Sequence, residues 1–182
     1  MKQQITKNAI ETAFLKLLKE KNFEKVMVKD IVEECGLTRN TFYYYYDDTY
    51  NIIEDILERE ARKMIEEMQH GGSLTEAVND VFEYLEENPK IVRHLFDSAK
   101  KDDMYRYVRS TVEIVLKHYF EYSVGEQKLS EQNRRTLINA SKYVIQGLIE
   151  EWLEKGMKTS LSEELKDVER IFSMALPQML EE

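Results

Sequence analysis

Residues 28–46 read VKDIVEECGLTRNTFYYYY. Val28, Ile31, Val32 and Cys35 recur at spacings of three and four, the inward stripe of a short helix. Gly36 follows where that helix must stop with positive φ, a conformation glycine adopts without steric cost. Leu37 is apolar, and Thr38 is a residue type that caps a new helix through its hydroxyl. The spacing then predicts a helix over about Arg39 to Tyr46, with Phe42 and Tyr46 turned inward beside Leu37. Its opposite face carries Arg39, Asn40, Tyr43 and Tyr44, with Thr41 at the edge. Two short helices joined by a tight glycine turn cross steeply, an arrangement that lets the second enter a DNA major groove. The exposed side chains suit that position: Arg pairs bidentately with guanine, Asn with adenine, and a Thr methyl meets a thymine methyl. Tyr hydroxyls donate to phosphate oxygens and fix register. A helical hairpin buried in a bundle would carry an apolar or charged outer face instead of Arg-Asn-Thr beside a run of tyrosines.

The same periodicity extends in both directions. Upstream, Ile5, Ala9, Ile10, Ala13, Phe14, Leu17 and Leu18 form one stripe of a helix over 4–20, with Thr6 expected as its cap and Lys21-Asn22 as its end, Asn22 being able to take the left-handed conformation. Downstream, Asp47 and Asp48 precede a fourth helix over about Thr49 to Gln69 and favour its dipole. His70-Gly71-Gly72-Ser73 reads as a break, after which helix restarts; Asn88-Pro89 breaks it again. A short helix holds Ile91, Val92, Leu95 and Phe96, and a long one runs from about Asp103 to Tyr122. Residues 123–129 read as a loop containing Gly125. Ser130 caps a helix to about Lys155, stopped by Gly156, and a last helix begins at Ser162. The expectation is an all-α fold of about nine helices: a three-helix domain with a helix-turn-helix over 1–48, and a helical ligand-binding and dimerisation domain over 49–182, with helix 49–69 connecting the two.

Composition narrows the function classes. The 182-residue chain has 42% hydrophobic and 34% charged residues, enough apolar surface for a packed core and many charges for amphipathic helices. With 6 Gly and 2 Pro, turn residues are too few for a β-rich fold. The single Cys, Cys35, rules out an intrachain disulfide and fits a reducing compartment. No apolar run approaches a membrane span, and the first residues lack a secretory apolar segment; a soluble, cytoplasmic protein is expected. The net charge of −9 is unevenly spread: residues 1–46 hold eight basic and six acidic groups, whereas 47–182 hold 18 basic and 29 acidic. Phosphates are therefore approached by the N-terminal part. His70, His94 and His118 lack partners at ligand spacing, so no metal is expected. Phosphate-loop, nucleophile-elbow and zinc-hydrolase motifs are absent, so neither a cofactor nor an enzymatic activity is expected.

The run Ile10…Ala13…Leu17-Leu18…Asn22-Phe23…Val28…Asp30-Ile31…Gly36-Leu37-Thr38-Arg39-Asn40-Thr41-Phe42-Tyr43…Tyr46…Ile52 resembles the DNA-binding domain of TetR/AcrR regulators. The resemblance implies a homodimer on a palindromic double-stranded operator, usually as a repressor, with Thr38, Arg39, Asn40, Thr41, Tyr43 and Tyr44 facing DNA. Three positions depart from the family pattern: Asn22 replaces a Gly, Met27 a capping Thr, and Thr49 a Lys that holds a phosphate. With Asp47 and Asp48 beside that phosphate, the grip is expected to rest on Tyr43, Tyr44, Thr49 and backbone amides at helix starts. Those departures also keep a second reading open, a relative that acts as a protein–protein adaptor or coactivator without operator binding.

The second half resembles the family more loosely. Gly147-Leu148-Ile149…Trp152-Leu153…Gly156 is similar to the dimerisation helix. The resemblance implies an interface of Ile145, Leu148, Ile149, Trp152, Val168, Ile171 and Phe172 in a four-helix bundle across a two-fold axis; the periodicity fits intrachain core equally. Phe82, Leu95, Phe96, Tyr105, Val108, Val112, Tyr119 and Tyr143 are the candidate walls of a cavity for a small hydrophobic or aromatic effector, with ordinary core as the alternative for any single one.

Overall fold

A glycine at φ 69°, ψ 26° ends the second helix: Gly36 takes the left-handed conformation, and Leu37 N–H returns to Val32 C=O at 2.9 Å. The computed structural model describes residues 2–71, 73–97, 101–121 and 130–180. In chain order its helices are α1 (Lys2–Leu18), α2 (Val28–Cys35), α3 (Arg39–Tyr45), α4 (Thr49–Gln69), α5 (Leu74–Glu87), α6 (Pro89–Phe96), α7 (Lys101–Tyr119), α8 (Glu131–Glu154) and α9 (Leu161–Leu180), with a 3₁₀ turn at Phe23–Lys25. The described residues are thus all-helical, as the scarcity of turn residues and the 3.6-residue periodicity predict. The expected loop at 123–129 lies outside the described residues.

The chain divides into two compact units, and neither is continuous in sequence. The first takes Met1–Glu58 and Asn88–Met104; the second takes Arg59–Glu87 and Tyr105–Glu182. Relative to the expected boundary at 48/49, the first unit also holds the first half of α4 and α6. Ile91 and Val92 are buried, and His94 Nδ1 donates to Leu18 C=O at 2.6 Å, filling an orphan acceptor at the end of α1. In the same unit Ile10, Phe14, Leu18, Ile31, Phe42 and Ile52 are fully buried. Two local expectations fail here. Thr6 lies inside α1, which already starts at Lys2, so it is no cap. Asn22 has φ −58°, an ordinary negative value, because a 3₁₀ turn follows and the chain turns through it without a left-handed residue.

In the second unit, α5 starts with a reciprocal box: Ser73 Oγ accepts from Glu76 N–H and Glu76 Oε2 accepts from Ser73 N–H, both at 3.1 Å. Ser130 Oγ caps α8 by accepting from Asn133 N–H at 3.1 Å. The start of α9 is capped from another helix, since Glu86 Oε1 on α5 accepts from Leu161 N–H at 2.5 Å and from Ser162 N–H at 3.3 Å. Helix α7 is tied to α8 through Glu113, which meets Lys117 and Lys142 at 2.8 Å each. Hydrogen bonds from those two ammonium groups hold its carboxyl down at about 2.

The same unit corrects part of the expected interface. Trp152 is 1% exposed, its Nε1 donates to Thr159 C=O at 2.8 Å, and Ile149 is buried with it. Both side chains belong to the chain's own core, so the intrachain alternative holds for them. Ile145, Leu148 and Val168 are half-buried, Ile171 is 63% exposed, and the Phe172 side chain lies outside the described residues. Among the candidate cavity residues, Phe82 and Tyr105 are buried, while Val108, Val112 and Tyr119 are half-buried, the last two against a cluster of Leu116, Phe120, Leu137 and Ile138. Leu95 and Phe96 belong to the first unit and are half-buried. Tyr143 is 66% exposed on α8 and lines no interior wall of the chain.

A Cβ at Gly36 would meet no atom within 4 Å, so a substitution there is felt through backbone conformation alone. Gly36→Ala is expected to lower stability by about 1–2 kcal/mol, and Gly36→Asn by less, in urea unfolding followed by circular dichroism.

Candidate nucleic-acid interface

Helix α3 is seven residues long and is set by its caps and its inward side chains. Thr38 Oγ1 accepts from Thr41 N–H at 3.2 Å and lies 2.9 Å from Thr41 Oγ1, so the two hydroxyls are engaged with each other at the helix start. Phe42 and Tyr46 point inward, as their four-residue spacing predicts, with Leu37 half-buried. The outer face carries Thr38, Arg39 and Asn40, all exposed, with Thr41 half-buried at its edge. Tyr43 is 55% and Tyr44 71% exposed, so both rings stand in solvent. Each is braced edge-on by a neighbour: Phe42 lies 5.5 Å from Tyr43, and Tyr45 lies 4.9 Å from Tyr44, centroid to centroid. An exposed guanidinium, carboxamide and two phenols on one short helix make a surface rich in hydrogen-bond donors, suited to base edges and phosphates.

Helix α2, which precedes the glycine turn, begins without the expected threonine. Asp30 supplies the anchor from within the helix by accepting from Met27 N–H at 3.3 Å and from Lys21 Nζ at 2.6 Å. The Lys21 hydrogen bond holds the Asp30 carboxyl below its ordinary value. A reading of position 27 alone misses this substitute; the signal is an acidic residue three positions after the cap.

The start of α4 is capped by its own side chains. Asn51 Oδ1 accepts from Asp47 and Asp48 N–H at 3.1 and 3.3 Å, and Asp48 Oδ1 accepts from Tyr50 and Asn51 N–H at 2.8 and 3.1 Å. Four amides that would otherwise attract an anion are filled by the helix's own side chains. The backbone amides expected to grip DNA here are thus engaged within the chain, and Asp48 brings a negative charge to the place. Thr49 is half-buried as the first residue of α4.

Comparison with known proteins agrees with this geometry. Residues 10–56 match the sequence model of bacterial regulatory proteins of the tetR family, and residues 72–174 match a transcriptional regulator C-terminal region of the same group, TetR_C_8. The chain belongs to the TetR family. A relative from Bacillus subtilis strain 168, the uncharacterized HTH-type transcriptional regulator YxbF, is 32% identical over 77 residues, 42% of this chain. That match spans 18% of the relative's length. Among solved structures, the chain resembles the dihydroxyacetone kinase operon activator DhaS at a TM-score of 0.73 and 18% identity, covering 97% of this chain and 98% of the other. A TetR regulator from Streptococcus agalactiae 2603V gives 0.57 at 20% identity over 90% of each chain. NalD, the secondary repressor of the MexAB-OprM multidrug efflux pump of Pseudomonas aeruginosa, gives 0.59 at 16% identity over 99% of this chain and 98% of the other. At these identities the structural likeness establishes the fold.

As a TetR-family member, the protein is a transcriptional regulator with a DNA-binding domain. The acidic cap of α4 gives a prediction for that domain. Asp48→Asn keeps a good capping oxygen and removes the charge, so affinity for non-specific duplex DNA at low salt is expected to rise about threefold, the Coulomb gain for one charge some ~7 Å from a phosphate in water. Fluorescence anisotropy against salt concentration reads it; an unchanged affinity would place Asp48 away from the phosphates.

Proposed function

We propose that this protein is a ligand-responsive transcription regulator that binds a palindromic operator as a homodimer, with repression as its sign. The observation that carries the reading is the exposed Arg39, Asn40, Tyr43 and Tyr44 face on a helix fixed by a left-handed glycine turn. Thr38, Thr41 and Thr49 complete the expected DNA-facing set. In a two-fold dimer the recognition helices enter successive major grooves about 34–36 Å apart. Repression follows where the operator overlaps a promoter, and the likeness to NalD, named as a repressor, supports that sign. The likeness to DhaS, named as an operon activator, favours activation as the second reading.

Dimerisation is supported by the outward faces of α8 and α9. Tyr143, Ile171 and Met174 are exposed apolar side chains in the isolated chain. Gly147 lies mid-helix, exposed, with no atom within 4 Å of a Cβ built on it. A glycine there costs about 1 kcal/mol of helix stability against alanine, and nothing in its own chain requires it. Close approach of a second helix across the two-fold axis supplies the requirement. Ile145, Leu148 and Val168, half-buried in the single chain, flank that face.

The effector is a small hydrophobic or aromatic molecule held in the second unit. Phe82, Tyr105, Val108, Val112 and Tyr119 supply apolar and aromatic surface, and Asn79 Oδ1 and Arg134 Nε are buried without a hydrogen-bond partner. Such orphaned groups are satisfied when a ligand brings complementary atoms. Helix α4 runs through both units, so a ligand that displaces its second half carries the displacement to the first. A coupling of about 1–3 kcal/mol between effector and operator is the usual size.

Selection from a random duplex library by the full chain is expected to enrich an inverted repeat with half-sites about one DNA turn apart. Asn40→Ala is expected to weaken the selected site by about 1–3 kcal/mol and relax preference at one base pair per half-site. Enrichment of no sequence would count against operator binding and favour an adaptor role. A separate measurement addresses the dimer: Gly147→Leu is expected to weaken dimerisation at least about tenfold in analytical ultracentrifugation while the helix itself gains stability. An unchanged dimer would remove Gly147 from the interface.

A further inference from the structure

The recognition helix ends in a polar junction that its apolar contacts do not require. Tyr46, the residue that closes α3, is buried, and its hydroxyl lies 2.9 Å from Asp55 Oδ2 on α4 and 3.3 Å from Glu11 Oε1 on α1. Asp55 Oδ2 also accepts from Lys7 Nζ at 2.8 Å, and that ammonium stands 5.2 Å from the Tyr46 ring centroid. Glu11 is a carboxylate of 5% exposure among the buried residues of the first unit. Burial and the two carboxylates push the Tyr46 phenol well above its ordinary value, so it stays a donor throughout the range in which the protein works.

We propose that the Tyr46 hydroxyl is a positioning group for DNA recognition: by donating its one proton to Asp55 on α4, with Glu11 on α1 as the longer second acceptor, it fixes the rotation of α3 about its own axis. The inference rests on the operator-binding reading above. Helix α3 spans two turns, and its fully buried inward anchor besides Tyr46 is Phe42. Apolar packing against a ring tolerates a small rotation, whereas a hydrogen bond weakens steeply as its angle opens. A rotation of ~20° moves side-chain tips ~5–6 Å from the helix axis by ~2 Å, enough to break a bidentate contact from Arg39 or Asn40 to a base edge. Burying carboxylates beside a phenol carries a desolvation cost that a wholly apolar junction would avoid. What the polar junction adds is direction. The acceptor at Asp55 lies three residues before the chain passes into the second unit at Glu58/Arg59, so the group that orients α3 sits on the helix shared by both units.

The test compares full-length variants on the site that the unmodified protein selects from random duplex DNA and on a scrambled duplex of equal length. Tyr46→Phe is expected to lower the ratio of the two affinities about tenfold, the loss expected for a hydrogen bond to a charged group, with non-specific binding unchanged. Asp55→Asn keeps an oxygen that accepts from the phenol and loses the Lys7 ion pair; its ratio is expected to stay within about twofold. Asp55→Ala combined with Glu11→Ala removes both acceptors while leaving the tyrosine, and is expected to follow Tyr46→Phe, which keeps the test decisive if the phenylalanine variant folds poorly. A purely structural role lowers both affinities together through the folded fraction and leaves the ratio intact, which would overturn the proposal. So would an Asp55→Asn loss equal to that of Tyr46→Phe. If the unmodified protein selects no sequence, the operator-binding reading fails first and this inference with it, a result distinct from an intact selection that Tyr46→Phe leaves unchanged.

Discussion

The left-handed turn at Gly36 is the constraint on which the first unit depends. A helix that ends in a tight reversal finds donors for its last carbonyls and turns the chain through positive φ. Gly36 at φ 69° provides both, and the Leu37 N–H to Val32 C=O bond closes the turn. Two residues later Thr38 opens α3. The interval is so short that the angle between α2 and α3 follows from backbone geometry more than from packing. Packing then fixes which face of α3 is buried, through Phe42 and Tyr46, and leaves the donor-rich face outside.

Charge is unevenly placed around this turn. The chain carries −9 overall, and even the start of α4, immediately after the recognition helix, is capped by its own aspartate and asparagine. An aspartate cap at that place weakens non-specific attraction to any phosphate brought near it. If the side chains of α3 read the operator, discrimination rests on their directional hydrogen bonds, and holding that helix at a fixed rotation matters the more.

Most of the local architecture was legible in the sequence because the determining residues lie within one helical turn of what they determine. Gly36, Thr38, Asp48, Ser73 and Ser130 each act on an amide or dihedral no more than three residues away, and each does what its chemistry predicts. What was not legible depends on partners far along the chain. The docking of α6 through His94 and Leu18 joins residues 76 apart, and it makes both units discontinuous. The Met27 cap failed to read because its replacement, Asp30, is itself held by Lys21 across nine positions. Periodicity gives the apolar side of a helix without saying whose core it enters. For α8 the stripe containing Ile149 and Trp152 fills its own chain.

That last ambiguity bears on how one helix serves two purposes. Helix α8 turns Leu137, Ile138, Ile149 and Trp152 inward and leaves Tyr143 and Gly147 outward. If a second copy docks on the outward side, the inward side must already be satisfied, or the chain would have no stable fold before it pairs. The Trp152 Nε1 bond to Thr159 and the Glu86 cap on α9 supply that satisfaction within the chain. An interface of that kind, with small and exposed residues above a closed core, would be free to shift without unfolding either copy. Such a shift is the freedom that a regulator needs when its two recognition helices change their separation.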